Sequence, residues 1–369
     1  FSQATGQITL RNELDFTILG EYLSVQYQIT CDGQIISNGR ISELPAILPH
    51  QTGILSIPIH IPSKGRCFLK LCYLTAYASA TVPAGYFLGF DEIPLVNADP
   101  RHQLSVAVPA YPEPLTVSES SRYLTVSGNS FTYTLDRSTG LWSSLLLQRR
   151  EFLTQPMELN IWRAPTDNDR NIKATWYRAQ LNRAYARAYA ITCEEAADHV
   201  RIVCEMGIVA ASVQRIASVQ LSWTVFETGI IMADLHVVQN PDFPSLPRFG
   251  FRMFLPKEMR RVSYFGMGPM ESYVDKHRAA SHALYECSVS ALHEDYLRPQ
   301  ENGSHWDCSF VEISNGANAL TVSADKPFSF NVSQYTQEEL TEKTHNFELM
   351  PCDGTVLCID YAQADIGSN

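Results

Sequence analysis

Apolar and polar residues alternate with a period of two through most of this 369-residue chain, the pattern of strands with one buried face. Leu23, Val25, Tyr27 and Ile29 alternate with Ser24, Gln26, Gln28 and Thr30, and Asp32-Gly33 follows as a two-residue hairpin turn. Leu55, Ile57, Ile59 and Ile61 form a further run, which Pro58 and Pro62 place at a sheet edge. Phe68 to Thr75 and Leu104 to Val108 add short strands. About seven strands in residues 1–110 predict a small immunoglobulin-like sandwich.

Pro109, Pro112 and Pro114 then interrupt the pattern, and residues 111–121 read as a Pro-rich linker. Beyond it the alternation returns on a larger scale. Phe131, Tyr133 and Leu135 open it; Val200 to Met206, Val219 to Val225, Ile231 to Val237, Phe249 to Leu255 and Phe328 to Val332 continue it. So many strands with few helices predict one large antiparallel sandwich over 122–369, and an all-β chain. Two helices are expected, Ala174 to Ala188 and a short one over Gln337 to Lys343, the latter capped by Thr336 and Glu339. No regular strand–helix alternation is present, so no (β/α)₈ barrel fits, since one needs about 250 residues of it.

Charge and composition then narrow the function classes. A net charge of −11 with no stripe of Lys and Arg argues against nucleic acid as a partner. No apolar run reaches the roughly 20 residues of a membrane span, and Phe1-Ser2-Gln3 lacks the opening of a signal peptide. The expectation is a soluble chain with no membrane partner, whose abrupt start and stop read as a piece of something longer. The nine cysteines include no C-x-x-C pair and fit free thiols in a reducing cytoplasm better than a disulfide framework or a zinc site. The sequons at Asn302 and Asn331 are discounted as short chance matches.

Four stretches carry chemistry, all beyond residue 121. Asn160 to Asn171 holds an indole plate in Trp162, a five-donor fork in Arg163, and the acceptors Asp167, Asn168 and Asp169. Such groups can wall a site for a polyhydroxylated ligand. The alternative is a loop that caps the next helix, with Arg163 in a structural ion pair. Tyr264 to Lys276 follows a strand with Glu271, Tyr273 and Asp275, which an extended segment would put on one face. They read as sugar-hydroxyl contacts, or as a loop anchored by a buried Glu–Arg pair. Arg298 to Asp307 gathers Glu301, Asn302, His305 and Trp306, a ligand-facing rim or a set of satisfied loop residues. Leu357 to Asn369 reads as a buried strand entering a glycine loop.

In this order and spacing, the W-R-A-P-T-D-N-D loop, the F-G-M-G-P-M-E-S-Y-V-D-K strand exit, the P-Q-E-N-G loop and the stretch F-N-V-S-Q-Y-T from Phe330 resemble one family. It is the C-terminal portion of the lac-type β-galactosidases of glycoside hydrolase family 2, and the resemblance covers essentially the whole chain. It implies a five-domain parent, of which this chain is similar to the last two: an immunoglobulin-like domain and a β-supersandwich of galactose-mutarotase-like topology. The implied reaction is retaining hydrolysis of terminal non-reducing β-D-galactose residues by two barrel glutamates about 5 Å apart. Those glutamates lie outside this chain, so no catalytic residue is assigned, and Glu271 and Glu301 do not replace them.

The implied role is to close one side of the galactoside pocket and support assembly. Trp162, Arg163, Asp167, Asn168, Asp169, Glu271, Glu301, Asn302 and His305 would form the pocket edge. No cofactor or metal is implied for this segment, while magnesium and sodium are open for the parent. The implied partners are the parent's catalytic barrel and N-terminal domains, a β-galactoside such as lactose, and further copies in a homo-oligomer, in the cytoplasm. The sequence departs from the family at Asn171 and Asp365, where glycine is usual, and stops at Asn369 before a pocket-lining position. Two readings from other classes stay open. One is a stand-alone carbohydrate-binding module that stacks sugar on Trp162, Trp306 or Tyr273. The other is an aldose-epimerase-like enzyme pairing His305 with Glu301 or Glu271, which rests on fold analogy.

Overall fold

A computed structural model describes residues 1–41, 44–101 and 114–367. The chain is 51% strand and 8% helix, which makes it all-β as expected. The described residues divide into two compact units, 1–101 with Ser281–Leu284 in one and the rest in the other. Among them, no helix is long and apolar enough to cross a membrane.

The first unit contains β1 (Gln7–Arg11), β2 (Leu23–Cys31), β3 (Gln34–Ile41), β4 (Thr52–Ser56), β5 (Cys67–Thr75) and β6 (Phe87–Leu95), with one helical turn, α1 (Leu19–Tyr22), before β2. They form the sheet β3-β2-β5-β6 and the ribbon β1-β4, all pairs antiparallel. Both layers send side chains into one core that includes Ile8, Val25, Ile29, Leu55, Leu69 and Leu71. The β2–β3 hairpin turns on Asp32 and Gly33 at φ 48° and 81°, the positive angles such a turn requires. The run from Leu55 to Ile61 is a strand only as far as Ser56; Pro58 has no N–H to give a ladder, and Ile59 and Ile61 pack on the core from irregular chain. The run Leu104 to Val108 lies outside the described residues.

The second unit begins with a meander, β7 (Thr116–Glu119), β8 (Tyr123–Ser127), β9 (Phe131–Asp136), β10 (Leu141–Leu147) and β11 (Arg150–Glu151). Its first strand corrects the linker reading. Leu115-Thr116-Val117-Ser118 alternates like any strand and pairs with β8 from Thr116–Ser127 to Glu119–Leu124, so prolines nearby did not stop it. Then come β12 (Gln155–Asn160), α2 (Lys173–Arg178), β13 (Tyr185–Glu195), β14 (His199–Val209), β15 (Ala217–Phe226), β16 (Ile231–Gln239), β17 (Arg248–Leu255), β18 (Arg261–Gly268), β19 (Ser281–Ser288), β20 (Ser304–Ser314), β21 (Ala319–Ser333), α3 (Gln337–Glu342) and β22 (Thr355–Gln363). They build the sheets β13-β14-β15-β16 and β12-β17-β22-β21-β20-β18-β19. One core joins all three sheets, from Leu124 and Trp142 through Ile202 and Trp223 to Val311, Phe330 and Leu357.

The helix expected over Ala174 to Ala188 is a second correction. Only Lys173–Arg178 is α-helical, a 3₁₀ turn follows at Leu181–Arg183, and Tyr185 already belongs to β13. Tyr185, Ala186 and Arg187 alternate exposed, buried, exposed, and pairing with β14 overrides the helix preference of alanine. The short helix α3 stands where expected; the Thr336 hydroxyl accepts from the Glu339 N–H at 3.1 Å, while the Glu339 carboxylate accepts from Met350 N–H at 2.9 Å.

Antiparallel alternation positions the candidate residues. β12, β18 and β22 end, and β17 and β20 begin, at one rim of the seven-stranded sheet. There Asn160 lies opposite Gly250, Arg248 opposite Gln363 and Ser304 opposite Asn331.

Candidate functional site

Arg248, the first residue of β17, is the hub of this rim. Its Nε donates to Asp360 Oδ1 at 2.9 Å, its Nη2 pairs with Asp360 Oδ2, and its Nη1 reaches both Glu301 oxygens at 3.1 Å. Side chains of all three residues are 0–2% exposed. Gln363 Nε2 adds a donor to Glu301 at 3.2 Å. One guanidinium thus faces two carboxylates away from water. Burial pushes Glu301 above the ordinary carboxylate range, with Arg248 opposing and Asp360 adding to the rise. Asp360 is also raised by burial, against the pull of Arg248. Burial would lower Arg248, but the two carboxylates hold its proton more firmly than usual.

Arg163 makes a second network just beyond β12. Its side chain and that of Asp169 are both 0% exposed. The guanidinium binds Asp169 through Nε (3.2 Å) and Nη2 (2.8 Å), and donates through Nη1 to Ala364 O (2.6 Å) and through Nη2 to Asp365 O (2.7 Å). Asp169 Oδ2 also accepts from Thr166 N–H at 2.8 Å, at the start of a 3₁₀ turn, Asp167–Arg170. The structural ion pair left open by the sequence is therefore present. Asp167 and Asn168 point outward; the Asp167 N–H donates to Gln300 Oε1 (3.0 Å) and Asn168 Nδ2 to Ile366 O (2.8 Å). Asn171 has φ −84° and ψ −42°, a conformation that needs no glycine. Trp162 is not an open plate. It is buried, its Nε1 donates to Thr341 Oγ1 at 3.3 Å, and its ring lies 5.3 Å from that of Tyr177.

Glu271, Tyr273 and Asp275 do not share a face. The segment is a loop in which Glu271 and Tyr273 are buried and Asp275 is exposed. Glu271 pairs with Lys276 instead of an arginine, contacts the Tyr296 hydroxyl, and accepts from the Gly303 N–H at 2.8 Å. Gly303 has φ 68°, and a Cβ there would stand 2.1 Å from Leu292 O, so the P-Q-E-N-G loop requires its glycine. Asp275 accepts from the N–H groups of Ile366 (3.2 Å) and Gly367 (2.6 Å). Asn302 is buried, its Oδ1 accepting from Glu294 N–H and its Nδ2 donating to Gln300 O.

His305 is 1% exposed on β20. Its Nδ1 lies 3.0 Å from Met267 O and therefore carries the proton, which leaves Nε2 bare and without a partner. The rings of Tyr264 and Phe330 stand 4.6 Å and 5.2 Å away. Burial lowers the imidazole pKa to about 4.

The structure thus brings all nine candidates to one rim, yet leaves only Asp167 and Asn168 exposed. Sequence reasoning missed Arg248, Asp360 and Gln363. The available signal was a charged residue inside an apolar strand, as in Arg248-Phe249-Gly250-Phe251 and Leu357-Cys358-Ile359-Asp360, because such charges are buried only when paired. Among the described residues, no three His, Cys, Asp or Glu side chains are grouped to hold a metal ion. Chemically the rim is a brace: it fixes the backbones of 160–171, 271–276, 300–305 and 364–367 against each other.

Fold and site together define an all-β protein whose large sandwich gathers three loops and its last strand's exit on buried ion pairs. The chain belongs to the beta galactosidase small chain family, which matches residues 127–369; residues 8–96 match beta-galactosidase, domain 4. A beta-galactosidase of Actinobacillus pleuropneumoniae is 38% identical over 369 residues, covering 98% of this chain and 35% of that protein. Beta-galactosidases of Staphylococcus xylosus (32% identical, 100% and 37% covered) and Pseudoalteromonas haloplanktis (26%, 91% and 33%) are similar in the same way. The chain spans about a third of the length of these curated relatives.

Proposed function

We propose that this chain is the C-terminal, noncatalytic region of a β-galactosidase that hydrolyses terminal non-reducing β-D-galactose residues with retention. The observation that carries the reading is the rim itself. Four segments of the small-chain match, distant in sequence, are held together by Arg163, Arg248, Glu271 and Asp275, and the exposed groups Asp167 and Asn168 stand on that support. Retaining hydrolysis needs an acid/base and a nucleophilic carboxyl about 5 Å apart. Glu271 is engaged by Lys276 and Glu301 by Arg248, so both act as positioning groups and the reacting carboxyls belong to the parent's barrel.

In this reading the barrel and N-terminal domains are the partners, in the cytoplasm. Asp167, Asn168 and the 364–367 segment edge the pocket for a β-galactoside such as lactose. In this reading magnesium or sodium, where used, belongs to the parent. The test is the purified chain with a chromogenic β-galactoside. No turnover is expected, and turnover without any barrel would overturn the assignment. Titration with galactose separates the stand-alone binding module, because a pocket edge alone should bind no more tightly than about millimolar.

A further inference from the structure

β2 and β5 bring Cys31 and Cys67 together. The two are register partners, and the adjacent pair is tied by the Asp32 N–H donating to Arg66 O at 2.9 Å. Cys31 and Cys67 therefore occupy the next, non-hydrogen-bonded site of the antiparallel ladder, where facing side chains stand closest. Cα atoms at such a site are about 4.5 Å apart, within the span a disulfide bridges. Both thiols are free and both meet the same turn: Cys31 Sγ donates to Lys64 O at 3.5 Å and Cys67 Sγ to Gly65 O at 3.7 Å. Asn97 Nδ2 ties the turn over the pair, donating to Gly65 O at 2.8 Å and to Cys67 Sγ at 3.7 Å.

Gly65 makes room for this arrangement, since a Cβ there would stand 2.6 Å from Cys31 Sγ. Cys67 is buried and Cys31 half-buried, so reagents reach Cys31 first. Elsewhere in the ladders Cys193, Cys204 and Cys358 face Ile202, Leu221 and Arg252. A metal site would need a third ligand, and no such group of three exists among the described residues.

We propose that Cys31 and Cys67 form a reversible dithiol–disulfide site that exchanges with low-molecular-weight disulfides. The Cys31 thiolate attacks one sulfur of the reagent R–S–S–R, forms a mixed disulfide and expels RS⁻, which takes up a proton. Cys67 then gives up its proton and attacks Cys31 Sγ, breaking the mixed bond and releasing a second RSH. Two electrons and two protons pass from the pair to one reagent disulfide, which becomes two thiols. Burial, contact with Cys31 and the nearby Asp32 raise the Cys67 thiol to about 12, so the second step is the slow one.

The test exposes the full chain to oxidised glutathione, alkylates the remaining thiols and maps the peptides by mass spectrometry. The expected product links Cys31 to Cys67, two hydrogens lighter than the reduced pair, about ten-fold above any other cysteine pair and lost with dithiothreitol. Cys67→Ser should retain glutathione on Cys31. Alkylation of both residues after excess reagent, or glutathione halted on Cys31 of the unaltered chain, would overturn the proposal. The cross-link is read in the unaltered chain, so a variant that fails to fold does not decide it.

Discussion

His305 offers a pH test of the rim that needs no enzymatic activity. Met267 O accepts from the Nδ1–H, and Nε2 is bare in a pocket walled by Tyr264 and Phe330. Protonation would add both a charge and an N–H that nothing accepts. Burial accordingly lowers the pKa from 6.5 to about 4. Between these values the unfolded chain binds a proton that the folded chain refuses, so stability is intact above about pH 6.5 and lost as pH falls toward about 4. At about 1.4 kcal/mol per unit, the loss is about 1.4 kcal/mol near pH 5.5 and about 2.5 kcal/mol near pH 4.5. His305→Asn keeps a side-chain N–H near the Nδ1 position and cannot titrate. Its neutral-pH stability should drop because a gap opens beside Phe330, but its acid-induced loss should be about 2.5 kcal/mol smaller. Urea unfolding followed by tryptophan fluorescence reads the second unit alone, since Trp142, Trp162, Trp176, Trp223 and Trp306 all lie there. Parallel losses in the unaltered chain and His305→Asn would refute the reasoning.

Glu301 should show the opposite sign. Its folded pKa is raised, so the folded chain holds a proton more tightly, and stability falls as pH rises from the ordinary carboxylate range through the raised value. Glu301→Gln should remove that fall, with Asp360 still pairing Arg248; a steeper pH dependence in the variant would contradict this. Asp169→Asn leaves the buried Arg163 guanidinium with only carbonyl partners and should cost about 3–5 kcal/mol in the same urea transition. A loss under about 1 kcal/mol would show that the pair is not buried in solution. Gly303→Ala meets both a positive φ and the Leu292 carbonyl, and should destabilise by more than about 1 kcal/mol, with a smaller change counting against the described loop.

The strand pattern was legible where side chains alternate by size and polarity. Residues 23–31 and 200–206 follow that rule, and the Asp32-Gly33 hairpin followed from two residues that tolerate positive φ. Legibility failed where composition and periodicity disagreed. The prolines of 109–121 suggest a linker although Leu115 to Ser118 alternate, and the alanines of 174–188 suggest a helix although Ala186 is buried between exposed Tyr185 and Arg187. In both cases a neighbouring strand supplied the hydrogen bonds that decided the structure. At the rim, residue types located the place but not the direction each side chain takes. Whether Arg163 reaches a ligand or a carboxylate is set by Asp169 six residues on and by carbonyls at 364 and 365, and spacing alone does not reveal the latter.

The use of arginine here has a physical reason. A well-packed apolar replacement of a whole buried cluster, Arg163 with Asp169 or Arg248 with Asp360 and Glu301, would fill the same space at equal or better stability. It would not bind the Ala364 and Asp365 carbonyls, and backbone acceptors without a partner cost about 1–3 kcal/mol each when buried. Arg163 therefore selects one backbone position for the segment after β22, while Asp275 and Asn168 hold the same segment from its other polar groups. Arg248 does the equivalent inside the sheet, joining the start of β17 to β22 and to the 300–305 loop. Stability could be had without ions, but a fixed relation between loops far apart in sequence could not. In the proposed role, that relation keeps Asp167, Asn168 and residues 364–367 on one side of a galactoside.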